Sequence, residues 1–212
     1  MYRKTLSRIT AYSFVFAATQ ANADTISFYL DQSNDLLDGV NYAQVTISDS
    51  MEINGDIDFL VELLEPAFAV SGSNFGMQNF SFNFDQSLTF DKSNIIDVSS
   101  SEWKISQNKN SGGGFGKYDI QLFGTGKSRA ETLSFSISDV DGDTIYSYAM
   151  GSMLKPDADE FFATHIAGFD YVDGISSAKF GGALQVVAVP ASVWLFGSGL
   201  LGLVGVARRK KI

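Results

Sequence analysis

The sequence contains no cysteine and a single histidine, His165. The first absence excludes disulfides, thiolate metal sites and cysteine nucleophiles together. The second leaves too little imidazole for a multi-histidine metal centre. Basic residues are scarce where the chain must fold. Of 15 lysines and arginines, seven sit at the extremities: Arg3, Lys4 and Arg8, then Arg208, Arg209, Lys210 and Lys211. All 24 acids lie from Asp24 onward, so residues 24–189 hold eight bases against 24 acids, a formal charge of −16. Nucleic-acid phosphates and anionic lipid repel such a body, which argues against nucleic acid as a partner. What is present is a 45% hydrophobic composition over 212 residues. That suffices for one ordinary domain with appendages and argues against wholesale disorder.

The two ends read as targeting segments. Residues 1–8 carry three bases and no acid, and residues 9–18 carry no charge. An apolar run of about ten residues is too short for a bilayer core, which needs about 20 helical residues. It is followed by TQANA and the first acid. Ala21 and Ala23 form the small-x-small pattern of a signal-peptidase site, predicting a signal peptide over residues 1–23 with cleavage before Asp24. The alternative is an amphipathic first helix. At the other end, no charge occurs between Lys179 and Arg208. Residues 186–207 form 22 predominantly apolar positions, long enough to span a bilayer with some tilt. Gly197, Gly199, Gly202 and Gly205 would weaken a soluble helix and are tolerated in lipid. The pattern predicts one transmembrane helix, a cytoplasmic basic tail over 208–212, and residues 24–185 as an extracytoplasmic domain. A buried C-terminal strand or core helix is the alternative.

Residues 190–211, PASVWLFGSGLLGLVGVARRKK, resemble a PEP-CTERM sorting signal, found on exported proteins of Gram-negative bacteria that also carry an exosortase. Val189, Pro190 and Ala191 stand at the family's Val-Pro-x-Pro-like motif, Trp194 in its apolar helix, and Arg208 and Arg209 in its terminal cluster. Ala188 replaces the first proline and the glutamate is missing. The resemblance implies signal peptidase and exosortase as partners during export. It also implies that the inner membrane holds the chain by its C-terminal helix until an exosortase cuts near the motif. The body then passes to the cell surface or the extracellular polysaccharide matrix of a biofilm. The same C-terminal domain occurs on some ice-binding proteins. Within the body, NFG (74–76), GFGKYD (114–119), FFATHIAGF (161–169) and FGG (180–182) resemble uncharacterised β domains of this group, which imply no chemistry.

The body itself reads as all-β. Period-two alternation is clearest in DIDFLVEL (56–63), NFSFNFD (79–85), KYDIQL (117–122) and LSFSIS (133–138). Further strands are expected over 25–30, 42–48, 102–106, 144–150 and 183–187, with turn residues such as Asp38-Gly39, Asn54-Gly55 and Asp141-Gly142 between them. Eight or nine short strands predict a two-sheet sandwich or jelly roll. A 3.6-residue period occurs only over 158–167.

Candidate chemistry is sparse. Asp139, Asp141 and Asp143 alternate in a turn and form the candidate metal site; Ca²⁺ is the ion such carboxylates would take, and no other cofactor is expected. The plain alternative is a solvated turn. Asp56 and Asp58 flank Ile57 and are expected to face water, and Asp157, Asp159 and Glu160 to begin a helix. His165 reads as structural, and SGGGFGK (111–117) as a hairpin loop rather than a phosphate loop. Tyr29, Trp103 and Tyr171 would stack on sugars if exposed, and Thr-x-Thr rows are absent. The expectation is a non-catalytic, exported protein of the envelope or matrix, structural or polysaccharide-binding. The alternatives are a glycan-active surface hydrolase and an uncleaved single-pass inner-membrane protein with a periplasmic domain.

Overall fold

A computed structural model of the chain describes residues 24–186 except 52, 54, 65–67, 69, 153–159 and 171–173, with the backbone alone at 70–73, 109–111 and 184–186. The expected signal peptide and, apart from Val186 at the end of the last strand, the expected sorting signal lie outside these residues, as do Asp157, Asp159 and Tyr171. Among the described residues twelve strands follow in order: β1 (Thr25–Leu30), β2 (Gln32–Ser33), β3 (Ala43–Asp49), β4 (Ile57–Leu63), β5 (Val70–Phe82) and β6 (Ile95–Ile96), then β7 (Lys104–Ser111), β8 (Lys117–Phe123), β9 (Thr132–Ile137), β10 (Phe162–Asp170), β11 (Ser177–Gly182) and β12 (Leu184–Val186). They form two six-stranded antiparallel sheets, β12-β1-β3-β4-β9-β6 (sheet A) and β2-β11-β10-β5-β8-β7 (sheet B).

The sheets pack face to face because alternate positions of each strand are apolar. In sheet A the buried set includes Ile26, Phe28 and Leu30, then Val45 and Ile47, Phe59 and Val61, and Leu133 and Phe135. Rings from the two sheets meet between them. Phe59 lies 5.2 Å from Phe82 and 4.6 Å from Phe135, and Phe28 lies 5.3 Å from Phe162. Each such side chain contributes about 1.5–3 kcal/mol by leaving water, and offset or edge-on ring pairs add about 0.5–1.5 kcal/mol.

Two segments depart from the sequence expectation. Residues 144–150 were expected to form a strand, yet Ile145–Tyr148 forms a single 3-10 turn. Thr144 starts it by accepting from the Ser147 backbone, and its buried residues, Ile145 and Tyr148, lie three apart on one side. Residues 158–167 suggested a helix, but Phe162–Asp170 is a strand lying between β11 and β5. A strand covered by neighbours on both edges and buried on both faces need not alternate, so its apolar run mimics helical spacing. The loop at 112–116 is the expected hairpin between β7 and β8, with Gly113, Gly114 and Gly116 all at positive φ.

Candidate functional site

The outward positions of sheet A carry hydroxyls in register. One cross-strand row runs Thr25, Ser48, Asp58, Ser136; the next runs Ser27, Thr46, Leu60, Ser134. Ser27 Oγ and Thr46 Oγ1 are 3.1 Å apart, and Ser136 Oγ donates to Asp58 Oδ1 at 2.7 Å. At the end of the sheet where β3 and β9 finish and β4 begins, these rows floor a cleft of about 440 Å³. Asp56, Asp58 and Asp97 line it together with Ser48, Ser50, Ser134 and Ser136. Its lip is the turn joining β3 to β4, closed by Ser50 N to Asp56 O (2.8 Å) and Asp56 N to Ile53 O (3.2 Å). That turn exposes Met51 (86%) and Ile53 (54%). Asp97 enters the lining from a left-handed backbone, φ 53°, directly after β6.

Asp56 is less open to water than its flanking position suggested: it is 5% exposed and lines the cleft. Two further carboxylates are close. Burial holds the Asp143 carboxyl above the usual range against the Tyr148 hydroxyl, which donates to it at 2.5 Å, and the charges of Asp56 and Asp49 push the same way.

The candidate calcium ligands do not converge. Asp141 is exposed on the turn, Asp139 (φ 59°) engages Asn94 Nδ2 through its backbone carbonyl at 3.3 Å, and Asp143 faces Tyr148. Among the described residues no three His, Cys, Asp or Glu side chains are placed to hold a metal ion. Glu160, expected at a helix start, is instead buried just before β10. Asp24, the residue expected to follow signal-peptidase cleavage, is exposed; its backbone nitrogen donates to Asp49 Oδ2 at 3.1 Å.

Of the aromatic residues offered for sugar stacking, the two among the described residues are not freely exposed. Trp103 is buried and its indole N–H donates to Ser128 O at 2.6 Å; Tyr29 is half-buried. His165 is held structurally. The Gln78 amide nitrogen donates to His165 Nδ1 at 2.9 Å while its oxygen accepts from Arg129 Nε and Nη2. Burial, then the charges of Lys179 and Arg129, hold the imidazole below its ordinary pKa. Reasoning from residues passed over the hydroxyl rows. The signal was Thr-Ile-Ser at both 25–27 and 46–48 with Ser-Phe-Ser at 134–136, a repeat that only strand pairing brings together. Among the described residues no helix is long and apolar enough to cross a membrane. No protein-family model, curated protein or solved structure matches this chain.

Proposed function

We propose that the chain is exported, cleaved before Asp24, held by residues 186–207 and released by an exosortase, and that its sandwich binds polysaccharide non-catalytically in the envelope or matrix. The observation that carries the binding role is the open cleft on sheet A. Hydroxyls and carboxylates there stand on a regular pleat, the acceptor-rich chemistry that sugar hydroxyls need. The hydrolase alternative needs an acid of raised pKa inside the cleft beside a second carboxylate. Burial raises the carboxyls of Asp119 and Asp143, but Asp119 belongs to β8 of the other sheet and neither residue lines the cleft.

The test has two parts. Intact masses from membrane and medium fractions should show a soluble form beginning at Asp24 and lacking the segment after Pro190. A membrane form retaining residues 208–212 would instead leave a single-pass protein. Full-length protein is then titrated against neutral, acidic and amino-sugar polymers. Absence of binding across that panel removes the proposed role, and newly formed reducing ends would make the protein a hydrolase.

A further inference from the structure

Sheet B turns a different chemistry outward. One cross-strand row runs Lys179, His165, Asn79, Phe123, Lys104 over β11, β10, β5, β8 and β7. At about 4.8 Å per strand the row spans roughly 19 Å, with a lysine at either end. The two acids on the strands of this sheet, Asp119 and Asp170, stand outside the row. In a strongly acidic body, this row reverses the sign of the charge.

Two local features build a site at its Lys179 end. The pairing of β10 with β5 slips between His165 and Ile166, leaving Gln78 as an extra residue between Met77 and Asn79. A bulge re-aims a side chain. Here the Gln78 amide nitrogen donates to His165 Nδ1 at 2.9 Å while its oxygen accepts from Arg129. With Nδ1 accepting, the neutral ring carries its proton on Nε2. The second feature is the β7–β8 hairpin. Lys179 lies across Gly113, where φ is 66° and a Cβ would collide with Lys179 Cδ, so the lysine is seated on the glycine. Between these groups lies a cavity of about 20 Å³ lined by Asn79, Gly112, Gly113, Thr164, His165 and Lys179. That is room for about one oxygen atom of water size. Among the described residues, neither His165 Nε2 nor Lys179 Nζ has a hydrogen-bond or ion-pair partner. The charges acting on His165, Lys179 from β11 and Arg129 from the segment before β9, are both positive. β5 adds only the neutral Gln78 and Asn79, and the hairpin only glycine.

We propose that this face of sheet B is a second ligand surface, on which Lys179 and His165 take the carboxylate of a uronic-acid unit in an acidic polysaccharide. The polysaccharide reading supplies the kind of polymer; the sheet A cleft plays no part. One carboxylate oxygen enters the cavity and accepts from both donors, a charge-assisted contact that an esterified acid cannot make. Cations held roughly 19 Å apart suit spaced acids, while the net charge of the body repels a dense line of phosphates.

His165 is the only histidine of the chain, so its imidazole signals in NMR report this site alone. Full-length protein is titrated with a hyaluronan hexasaccharide, whose acids sit on alternate sugars, with its methyl ester, with hexaglutamate and with inorganic phosphate. The acid form should bind at least about tenfold tighter than the ester, shift the His165 signals and raise the imidazole titration midpoint. Binding should tighten as pH falls through that midpoint, because burial and the two cations hold the ring neutral above it. Lys179→Ala should remove the preference for the acid form; Lys92→Ala, an equal loss of charge outside the row, should keep it. Gly113→Ala leaves every charge in place but unseats the lysine, and should weaken the acid form alone. If that variant does not fold, Lys179→Gln reads the same contrast. Equal binding of acid and ester overturns the inference and leaves the sheet A reading standing. So does acid binding that leaves His165 unmoved or survives Lys179→Ala. Hexaglutamate or phosphate matching the sugar in affinity overturns the polysaccharide assignment of this site. Absence of binding to any sugar polymer removes both readings.

Discussion

No strand of sheet A contains a glycine, lysine or arginine, whereas the strands of sheet B carry Gly72, Gly76, Gly168, Gly181 and Gly182 together with Lys104, Lys109, Lys117 and Lys179. Register differs in the same sense. The pairings β1–β3, β3–β4 and β4–β9 run without interruption, while β10–β5 and β7–β8 slip at bulges. An unbroken pleat keeps outward side chains on a fixed lattice, which a multi-point ligand requires. Bulges and glycines bend a sheet and let backbone or side chains approach closely, as Asn74 and Arg129 approach Gly168. One sheet thus keeps its outward side chains in unbroken register, while bulges and glycines interrupt the other.

Both sheets depend on the rings between them, so the largest loss should come there. Phe59→Ala is expected to cost about 3–5 kcal/mol, read from the denaturant midpoint; a loss under about 1 kcal/mol would mean that the two sheets do not share a core. Gly168→Ala tests the bent sheet. Its φ of 86° is strained for alanine, and a Cβ would collide with Asn74 O. A cost on the order of 2–3 kcal/mol is expected. Ser136→Ala on the regular sheet removes one donor to Asp58 and should cost about 0.5–1 kcal/mol. Equal costs for these last two would erase the contrast between the sheets.

The pH responses are smaller and opposite in sign. Asp143 is harder to ionise folded than unfolded, so it adds nothing unfavourable below the unfolded value. Its cost grows as pH rises through the two pKa values. Asp143→Asn should therefore melt higher than the parent at neutral pH and lose that advantage in acid. His165 behaves conversely, because burial and then Lys179 and Arg129 disfavour its charged form. Stability is lost as pH falls below the ordinary histidine value. Lys179→Ala should move the imidazole titration, followed by NMR, upward; an unmoved titration would show that Lys179 does not act on it.

The two-sheet architecture was legible because alternation in segments such as KYDIQL and LSFSIS maps one face of each strand onto the core. The central strand β10 was not, since burial on both faces removes the period that betrays a strand. β2 and β6, two residues each, are too short to carry any period. Asp58 was legible as an outward acid, while the burial of Asp56 was not, because Asp56 precedes β4 in a turn that its own backbone hydrogen bonds close. The hydroxyl rows escaped for a third reason: their order lies across strands, between residues about 20 to 80 positions apart, and register is a property of pairing.

The pairing of β12 with β1 also sets a reach. Val186 is opposite Ser27, so the chain leaves sheet A at the end that holds Ser48, Asp58 and the cleft. Three residues separate Val186 from Pro190, a leash of four residue steps that spans at most about 14 Å fully extended. On the sorting route proposed above, a peptidase cutting beside Pro190 would work against the folded sandwich or gain slack by peeling the short β12 from its neighbour. On that route, the cut that releases the domain would be made close to the cleft end of sheet A.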